Sequence, residues 1–562
     1  FCLAVGSMRD DSAIMDEVAH TPAGYSYLTQ KDARLNPEHP PLIKDLSAIP
    51  LLFMDLNFPS EHKAWQEDVN GQWSFGFYFL YQSGNDADQI LFWSRIPMIL
   101  LMLLLGFYIF KWTRELFGRS VALLVLFLYS LSPTIITHGR FVTTDLAVAA
   151  GIFIATYYFI KYLQNPSKKN LLLAGIVFGL ALLTKFSAFL LVPFFFFLII
   201  VWLILKGKKE WLRNSWRYLR GFILIGLISL AIIGPVYQYH VLNYPPERQV
   251  RDTESLLSSH GQRWLVETII WMADKPILRA YAQYFLGLAM VIQRAAGGNT
   301  TYFFGEVSAE GWWYYFPLVY LIKVPLAMHF LTLVALLFVV WQIKKPFWRK
   351  PGRRLLSWSK NHFSEMAMLA FIILYWAVSI RSTLNIGVRH VLPTFPFIYI
   401  LVSGQISQIG NYLKNKSRKL LMAGYGVLAV CLFWYLAANL LVYPHYLAYF
   451  NETTGGPKEG YKYAVDSNLD WGQDLKRLAQ WVDEKGIDKI KVDYFGGAVP
   501  GYYLKDKFTP LLREEGPQKG WIAVSATLYQ TSREKPETSY QWLDQYEPVI
   551  KIGHSILVYH LQ

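Results

Sequence analysis

Asp16 and Glu17 in the run Asp16-Glu17-Val18-Ala19-His20, with Asn36-Pro37-Glu38-His39-Pro40-Pro41 close behind, gather carboxylates and imidazoles into one polar stretch of a largely apolar chain. Carboxylates at the mouth of an apolar bundle are costly to hold there unless they do chemistry or bind a charged ligand. An aspartate partly withdrawn from water suits general-base work on a hydroxyl or amine. The structural alternative is that Asp16 and Glu17 cap a helix with favourable charge. Pro37, Pro40 and Pro41 stiffen the second segment and present Glu38, His39 and Lys44 in a fixed arrangement.

Cations recur on what we read below as the same side of the membrane. They are Arg140 within His138-Gly139-Arg140-Phe141-Val142-Thr143-Thr144-Asp145, Lys185, Arg381, and Arg389 with His390. A single basic residue at a helix end usually snorkels to lipid headgroups. Several converging beside a base point to a phosphate pocket. A base with a cationic phosphate site is what glycosyl transfer from a lipid-phosphate sugar requires. The acceptor must lose a proton, whereas a phosphodiester leaving group needs its charge neutralised and hardly any protonation. Glycoside hydrolysis, by contrast, needs a paired acid and base. Direct displacement with one base inverts the anomeric centre, and a groove between spans would take the lipid tail. Asp466-Ser467-Asn468-Leu469-Asp470-Trp471-Gly472-Gln473-Asp474 offers Asp470 and Trp471 as a sugar grip by hydrogen bonding and stacking, or else a cap for the helix that follows.

The elements that must position these groups follow from composition. The chain has 562 residues, 53% hydrophobic, 17% aromatic and 17% charged, too apolar for a soluble enzyme of this size. Apolar stretches long enough to span a bilayer, roughly 17 to 25 residues each, run over 90–110, 120–136, 146–162, 171–184, 188–205, 222–239, 316–341, 366–380, 391–409 and 420–442. Residues 1–7 read as the end of a truncated first span. The net charge of +14 falls mostly in alternate loops, for instance Lys206 to Arg220, Lys344 to Lys360 and Lys414 to Lys419, which the positive-inside rule makes cytoplasmic. Such charge reflects anionic lipid, not nucleic acid. The outward loops are then 8–89, 138–145, 240–315 and 381–389, with everything after 442. The expected architecture is mainly α: a polytopic bundle over 1–442, with a catalytic outward loop (8–89) and a large outward loop (240–315), then a small extracytoplasmic α/β domain over 443–562. A helix over 21–28 is expected to lie along the membrane surface. Cys2 and Cys431 support neither a disulfide framework nor a cysteine metal site.

Several motifs together carry a resemblance over nearly the whole chain: Asp16-Glu17, Gly24-Tyr25-Ser26-Tyr27-Leu28, Asn36 to Leu42, His138-Gly139-Arg140 with Asp145, Phe304-Gly305-Glu306, Gly387 to Pro393, and Asp466 to Asp474. The chain resembles the GT-C-type membrane glycosyltransferases, near the protein O-mannosyltransferases and aminoarabinose transferases. The resemblance implies Asp16 as catalytic base with Glu17 beside it, and outward cations around the lipid phosphate, for which Arg140, Lys185 and Arg389 are the candidates. The aminoarabinose transferases carry Lys where this chain has His39, so any equivalent contact must come from His39 or Lys44. Glu38, His20, Asp145, His390, Asp470 and Trp471 are candidates for holding substrate. No cofactor is expected. A divalent cation on Asp16, His20, Asp145, His39 and His138, as in oligosaccharyltransferases of similar architecture, is the alternative set aside because the donors lack a defined spacing. The expected reaction moves a monosaccharide from a polyprenyl-phosphate donor to a protein, lipid or glycan acceptor outside the cytoplasmic membrane. A transporter or flippase of lipid-linked sugars is the competing reading, disfavoured by the absence of an internal repeat and of midplane charges.

Overall fold

A computed structural model describes residues 1–343 and 351–562, and in it the long apolar runs form helices as their length requires. Among the described residues, seven helices are long and apolar enough to cross a membrane: Ala87–Phe117, Asp145–Gln164, Phe186–Lys206, Asn214–His240, Leu326–Ile343, Phe363–Ile380 and Arg418–Val442. A bent pair of helices makes an eighth when it is counted as one span. Arg119–Ser130 and Pro133–Arg140 meet at 64°, because Pro133 starts a new helix behind Ser132, whose hydroxyl caps it by accepting from the Ile135 amide. The chain is thus mainly α and polytopic. Lys344, Lys345, Arg349 and Lys350 of the expected cytoplasmic loops lie outside the described residues, and nothing is described of the side chains of Lys208, Lys209 and Arg213.

Three expected spans differ in form. The 171–184 run is a helix of 15 residues, Lys168–Leu182. The 316–341 run is interrupted ahead of Pro325 into Tyr315–Lys323 and Leu326–Ile343. The 391–409 run begins as a tight helical turn, Val388–Thr394, before the regular helix Phe395–Lys416. Proline disfavours helical geometry in the residue before it and lacks an amide donor, and Pro325, Pro393 and Pro396 sit at these breaks. The two breaks near Pro325 and Pro393 expose main-chain groups that the C-terminal region uses below.

The expected surface helix is buried. It forms as Met15–Gln30, with every residue from Glu17 to Tyr27 inside. It packs against Leu42–Ala48 and Gln72–Tyr81 so closely that a Cβ on Gly24 would lie 2.0 Å from the Lys44 carbonyl, and one on Gly76 2.0 Å from that of Val18. Glycine is required at both.

After residue 442 the chain builds the expected α/β unit. Five strands run in the order Phe508–Pro510, Ile490–Asp493, Gly520–Ser525, Ile556–Leu561, Ile550–Ile552, with the first two contacts parallel and the rest antiparallel. Helix Leu475–Glu484 presents Leu475, Leu478, Ala479 and Val482 to the sheet core, an i, i+3, i+4, i+7 stripe. Its first-turn cap comes from far away: the Ser12 hydroxyl accepts from the Leu475 amide at 3.1 Å, whereas the Asp466–Asp474 run supplies no side-chain cap.

The first loop is held to the bundle by a buried ion pair. Arg95 Nε and Nη2 reach Glu17 Oε1 and Oε2 at 2.8 and 2.7 Å, and its Nη atoms also donate to the carbonyls of Met8, Asp11 and Ser12. Removing one partner of such a pair strands a buried charge, at a cost of roughly 3–5 kcal/mol. Glu17→Leu is therefore expected to lower the unfolding temperature in detergent sharply, and Glu17→Leu with Arg95→Leu to restore part of it. Equal losses in the single and double variants would refute this account.

Candidate functional site

The Met15–Gln30 helix, the proline-stiffened loop, the Ile386–Arg389 turn and the C-terminal region close around a cavity of about 510 Å³. Asp16, His20, Glu38, His39, Arg389 and Trp471 all line it. A chain of charge runs through its floor. Arg389 Nη1 donates to Asp16 Oδ2 at 2.8 Å and to Asp145 Oδ2 at 3.3 Å, and Asp145 Oδ1 takes the Lys185 ammonium at 2.6 Å. Two carboxylates thus alternate with two cations. Asp16 stays 23% exposed at its side chain, while Asp145 is buried at 2%. The carboxylates beside Arg389 hold its guanidinium above the ordinary arginine range despite burial. Arg389 Nε is buried without a partner, and Nη2 takes none among the described residues. A guanidinium with one edge committed and donors to spare is an anion receptor.

Asp16 is exposed to the cavity because it sits one position ahead of Glu17 on the helix. Neighbouring helical positions point different ways, so Glu17 faces Arg95 and the bundle. The Ile14 and Val142 amides also donate to Glu17, at 3.1 Å each. Glu17 is therefore a helix cap and buried anchor, whereas Asp16 adds favourable charge in the same first turn and lines the cavity.

His20 lies one turn beyond Asp16, with its Nδ1 donating to the Val142 carbonyl at 2.9 Å, which leaves Nε2 as an acceptor. Burial pushes its pKa down, and pushes His39 well down. The two rings meet edge to face at 5.1 Å. A neutral His39 does not replace a cationic phosphate ligand. Nor does Lys44: its ammonium is spent on the Asn36 carbonyl and side-chain oxygen, the His39 carbonyl and the Tyr27 hydroxyl, at 2.7 to 3.0 Å. Burial brings it down to about 7. Lys44 is the staple that gives the Asn36–His39 loop its shape. Glu38 lines the cavity with both oxygens occupied, by Asn70 Nδ2 and Gln72 Nε2.

Arg140 is elsewhere. It is buried on Asp11 at 3.0 Å, in a cluster where Arg477 joins Asp11 to Asp474 at 2.6 Å each. The helix that ends at Arg140 turns its side chain toward the C-terminal unit, where it acts as a joint with Nε and Nη1 buried and unpartnered, and it does not line the cavity. Lys185 is one carboxylate removed from Arg389 and does not line the cavity. His390 stacks on Phe316 at 6.1 Å, away from it. Asp470 is likewise no substrate ligand: it is fully buried and takes the Thr527 amide at 2.8 Å. Trp471 is in the site but also buried, with Arg389 lying over its ring at 4.2 Å.

Asp466 and Arg294 are among the cavity residues that the sequence reading did not single out as site residues. Asp466 holds a left-handed backbone at φ 55°, its Oδ1 takes the Ser467 amide, and its Oδ2 has no donor among the described residues. Burial raises it to about 6. Nothing local in the sequence signals that conformation. Arg294, in the last turn of Leu278–Gly297, did carry a signal: it is a basic residue on a loop assigned to the outward side. No three His, Cys, Asp or Glu among the described residues come together as metal ligands.

Comparison with known proteins adds the following. Residues 87–236 match the family model for dolichyl-phosphate-mannose-protein mannosyltransferases. No curated protein matches the chain. Among solved structures, ArnT from Cupriavidus metallidurans bound to undecaprenyl phosphate is 14% identical, covering 99% of this chain and 95% of that one, with a TM-score of 0.47. The Archaeoglobus fulgidus oligosaccharyltransferase is 11% identical over 96% of this chain and 69% of its own, with a TM-score of 0.47. The S. cerevisiae Pmt1-Pmt2 complex is 19% identical over 43% and 33%, with a TM-score of 0.29. The first long span and the helices after it thus resemble that mannosyltransferase family.

Asp470 gives a direct test of the buried arrangement. Burial raises its carboxyl to about 8, against about 3.9 for a free aspartate. The folded chain keeps the proton while the unfolded chain gives it up, so the stability that Asp470 contributes is full below pH 4 and lost as pH rises through 8. Asp470→Asn removes this dependence. The variant's unfolding temperature relative to the parent should therefore climb between pH 4 and 8 and then level off. A difference that is flat with pH would contradict the assignment.

Proposed function

We propose that this chain is a membrane glycosyltransferase that moves a monosaccharide from a polyprenyl-phosphate donor to an acceptor hydroxyl on the extracytoplasmic side of the cytoplasmic membrane. The observation that carries this reading is the contact between Asp16 and Arg389 in the wall of one cavity, with the guanidinium's remaining donors free. The family-model match over residues 87–236 supports it. The bundle (1–442) then acts as donor-binding domain, and the α/β region (443–562) closes the cavity from the aqueous side.

The chemistry follows from charge. Arg389, backed by Lys185 through Asp145, neutralises the donor phosphate, and the phosphate's competition for Arg389 frees Asp16. Asp16 takes the proton of the acceptor hydroxyl as its oxygen bonds to the anomeric carbon. The bond from that carbon to the phosphate oxygen breaks, the electron pair leaves on polyprenyl phosphate, and the anomeric centre inverts. Neutral His20 and His39, one turn and one loop away, crowd the sugar side without adding charge that would trap the phosphate product. Protein, lipid and glycan acceptors all meet the requirement for a hydroxyl.

Protein purified with native lipids is expected to carry a polyprenyl-phosphate species detectable by mass spectrometry, and to turn over the sugar-linked form. Asp16→Asn should keep the lipid and lose activity by about 10²–10⁴-fold, the usual contribution of a general base. A flippase would be little affected by that change. Failure to find or use any such lipid would remove the proposal.

A further inference from the structure

Trp471 comes from the C-terminal region, yet it lies beneath the guanidinium that the proposed chemistry depends on. Its ring is 1% exposed, with Arg389 Cζ 4.2 Å from the centroid on one face and the rings of His138 and Phe141 at 6.1 and 6.4 Å around it. The main chain on either side of it is equally committed. The Trp471 carbonyl accepts from the amide of Met15, the residue before Asp16, at 3.0 Å. Asn468 Oδ1 accepts from the amide of Val388, the residue before Arg389, at 3.0 Å, and the Ser467 hydroxyl donates to the Ile386 carbonyl. Close packing enforces this: a Cβ on Gly387, at φ 132°, would stand 2.3 Å from the Ser467 hydroxyl. One segment therefore grips the backbones that carry both members of the Asp16–Arg389 pair.

We infer that Trp471 is a positioning residue, whose ring aims the Arg389 guanidinium so that one edge meets Asp16 and Asp145 and the other faces the cavity as an anion receptor. A guanidinium over an indole face is held by cation–π attraction, strongest when water is excluded, as it is here. The ring blocks donation from one face, and anions bind guanidinium through its edge. A merely bulky side chain would fill the space without fixing that direction. The C-terminal region is then a working part of the anion site and not only its cover.

The inference rests on the donor-phosphate reading above, and undecaprenyl phosphate is the probe that separates the two. Its dissociation constant is measured for the full-length protein in detergent, with the unfolding temperature recorded alongside. Trp471→Leu is expected to weaken binding roughly tenfold, and Trp471→Phe, which keeps an aromatic face, to stay within about threefold of the parent. In a double-mutant cycle, Trp471→Leu should add nothing to the loss already caused by Arg389→Gln, because the ring acts through the guanidinium. Losses that add, or equal weakening by Leu and Phe, would overturn the inference while leaving the function standing. No saturable binding by the parent protein would overturn both. Should the Leu variant not fold, Trp471→Met, whose longer flexible side chain fills irregular space without an aromatic face, runs the same cycle.

Discussion

One arginine shared between two carboxylates is the constraint around which this structure is arranged. Arg389 is buried between Asp16 at 2.8 Å and Asp145 at 3.3 Å, and each of the three lies in a different part of the chain. Asp16 follows the first short helix, Asp145 begins a spanning helix, and Arg389 sits in a tight turn between two others. The cost of withdrawing these charges from water is met by their mutual attraction, by Lys185 on the far side of Asp145, and by the indole under Arg389. The two cations and two carboxylates balance in charge, and what remains unsatisfied is hydrogen bonding: Arg389 Nε is buried without a partner in the wall of the cavity.

The polar apparatus around this core separates into groups that line the cavity and groups that hold its walls. Glu17, Lys44, Arg140 and Asp470 all looked chemically capable in the sequence, and all are consumed by the protein itself. Glu17 bonds Arg95 and caps its own helix, Lys44 shapes the proline loop, Arg140 joins the bundle to the C-terminal unit through Asp11, and Asp470 anchors Thr527. Buried polar groups seek partners within the protein, and these four hold segments around the cavity together, although Arg140 Nε and Nη1 and Asp470 Oδ1 are buried without a hydrogen-bond partner. Asp16, Arg389 and Asp466 differ in lining the cavity while still carrying atoms that no protein group has claimed.

The C-terminal region is woven into the bundle, not appended to it. The Lys323 ammonium, at the break before Pro325, donates to the carbonyls of Leu447 and Asn468, and Asn451 bonds the Leu321, Ile322 and Val324 carbonyls exposed by the same break. The two helix interruptions that shortened the expected spans are thus the places where the bundle offers main-chain polarity to its partner. Ser12, capping Leu475–Glu484, closes the connection from the other direction.

Much of this was legible in the order of residues. Long apolar runs determined that the chain is mainly helical and crosses a membrane, because backbone polarity in lipid has to be satisfied within each segment. Period-two alternation after 489 determined a sheet, and Asp16, Asp145, Lys185 and Arg389 stood out because charge beside apolar spans demands a reason. Only the tertiary structure decided which charges pair. Arg140 and Arg389 are alike as residue types, yet one is buried on Asp11 away from the cavity and the other lines it, stacked on Trp471. That choice depends on side-chain direction and on contacts between segments hundreds of residues apart, which spacing along the chain does not encode. The left-handed turn at Asp466 and the burial that neutralises His39 have the same origin: both are imposed by what packs against them.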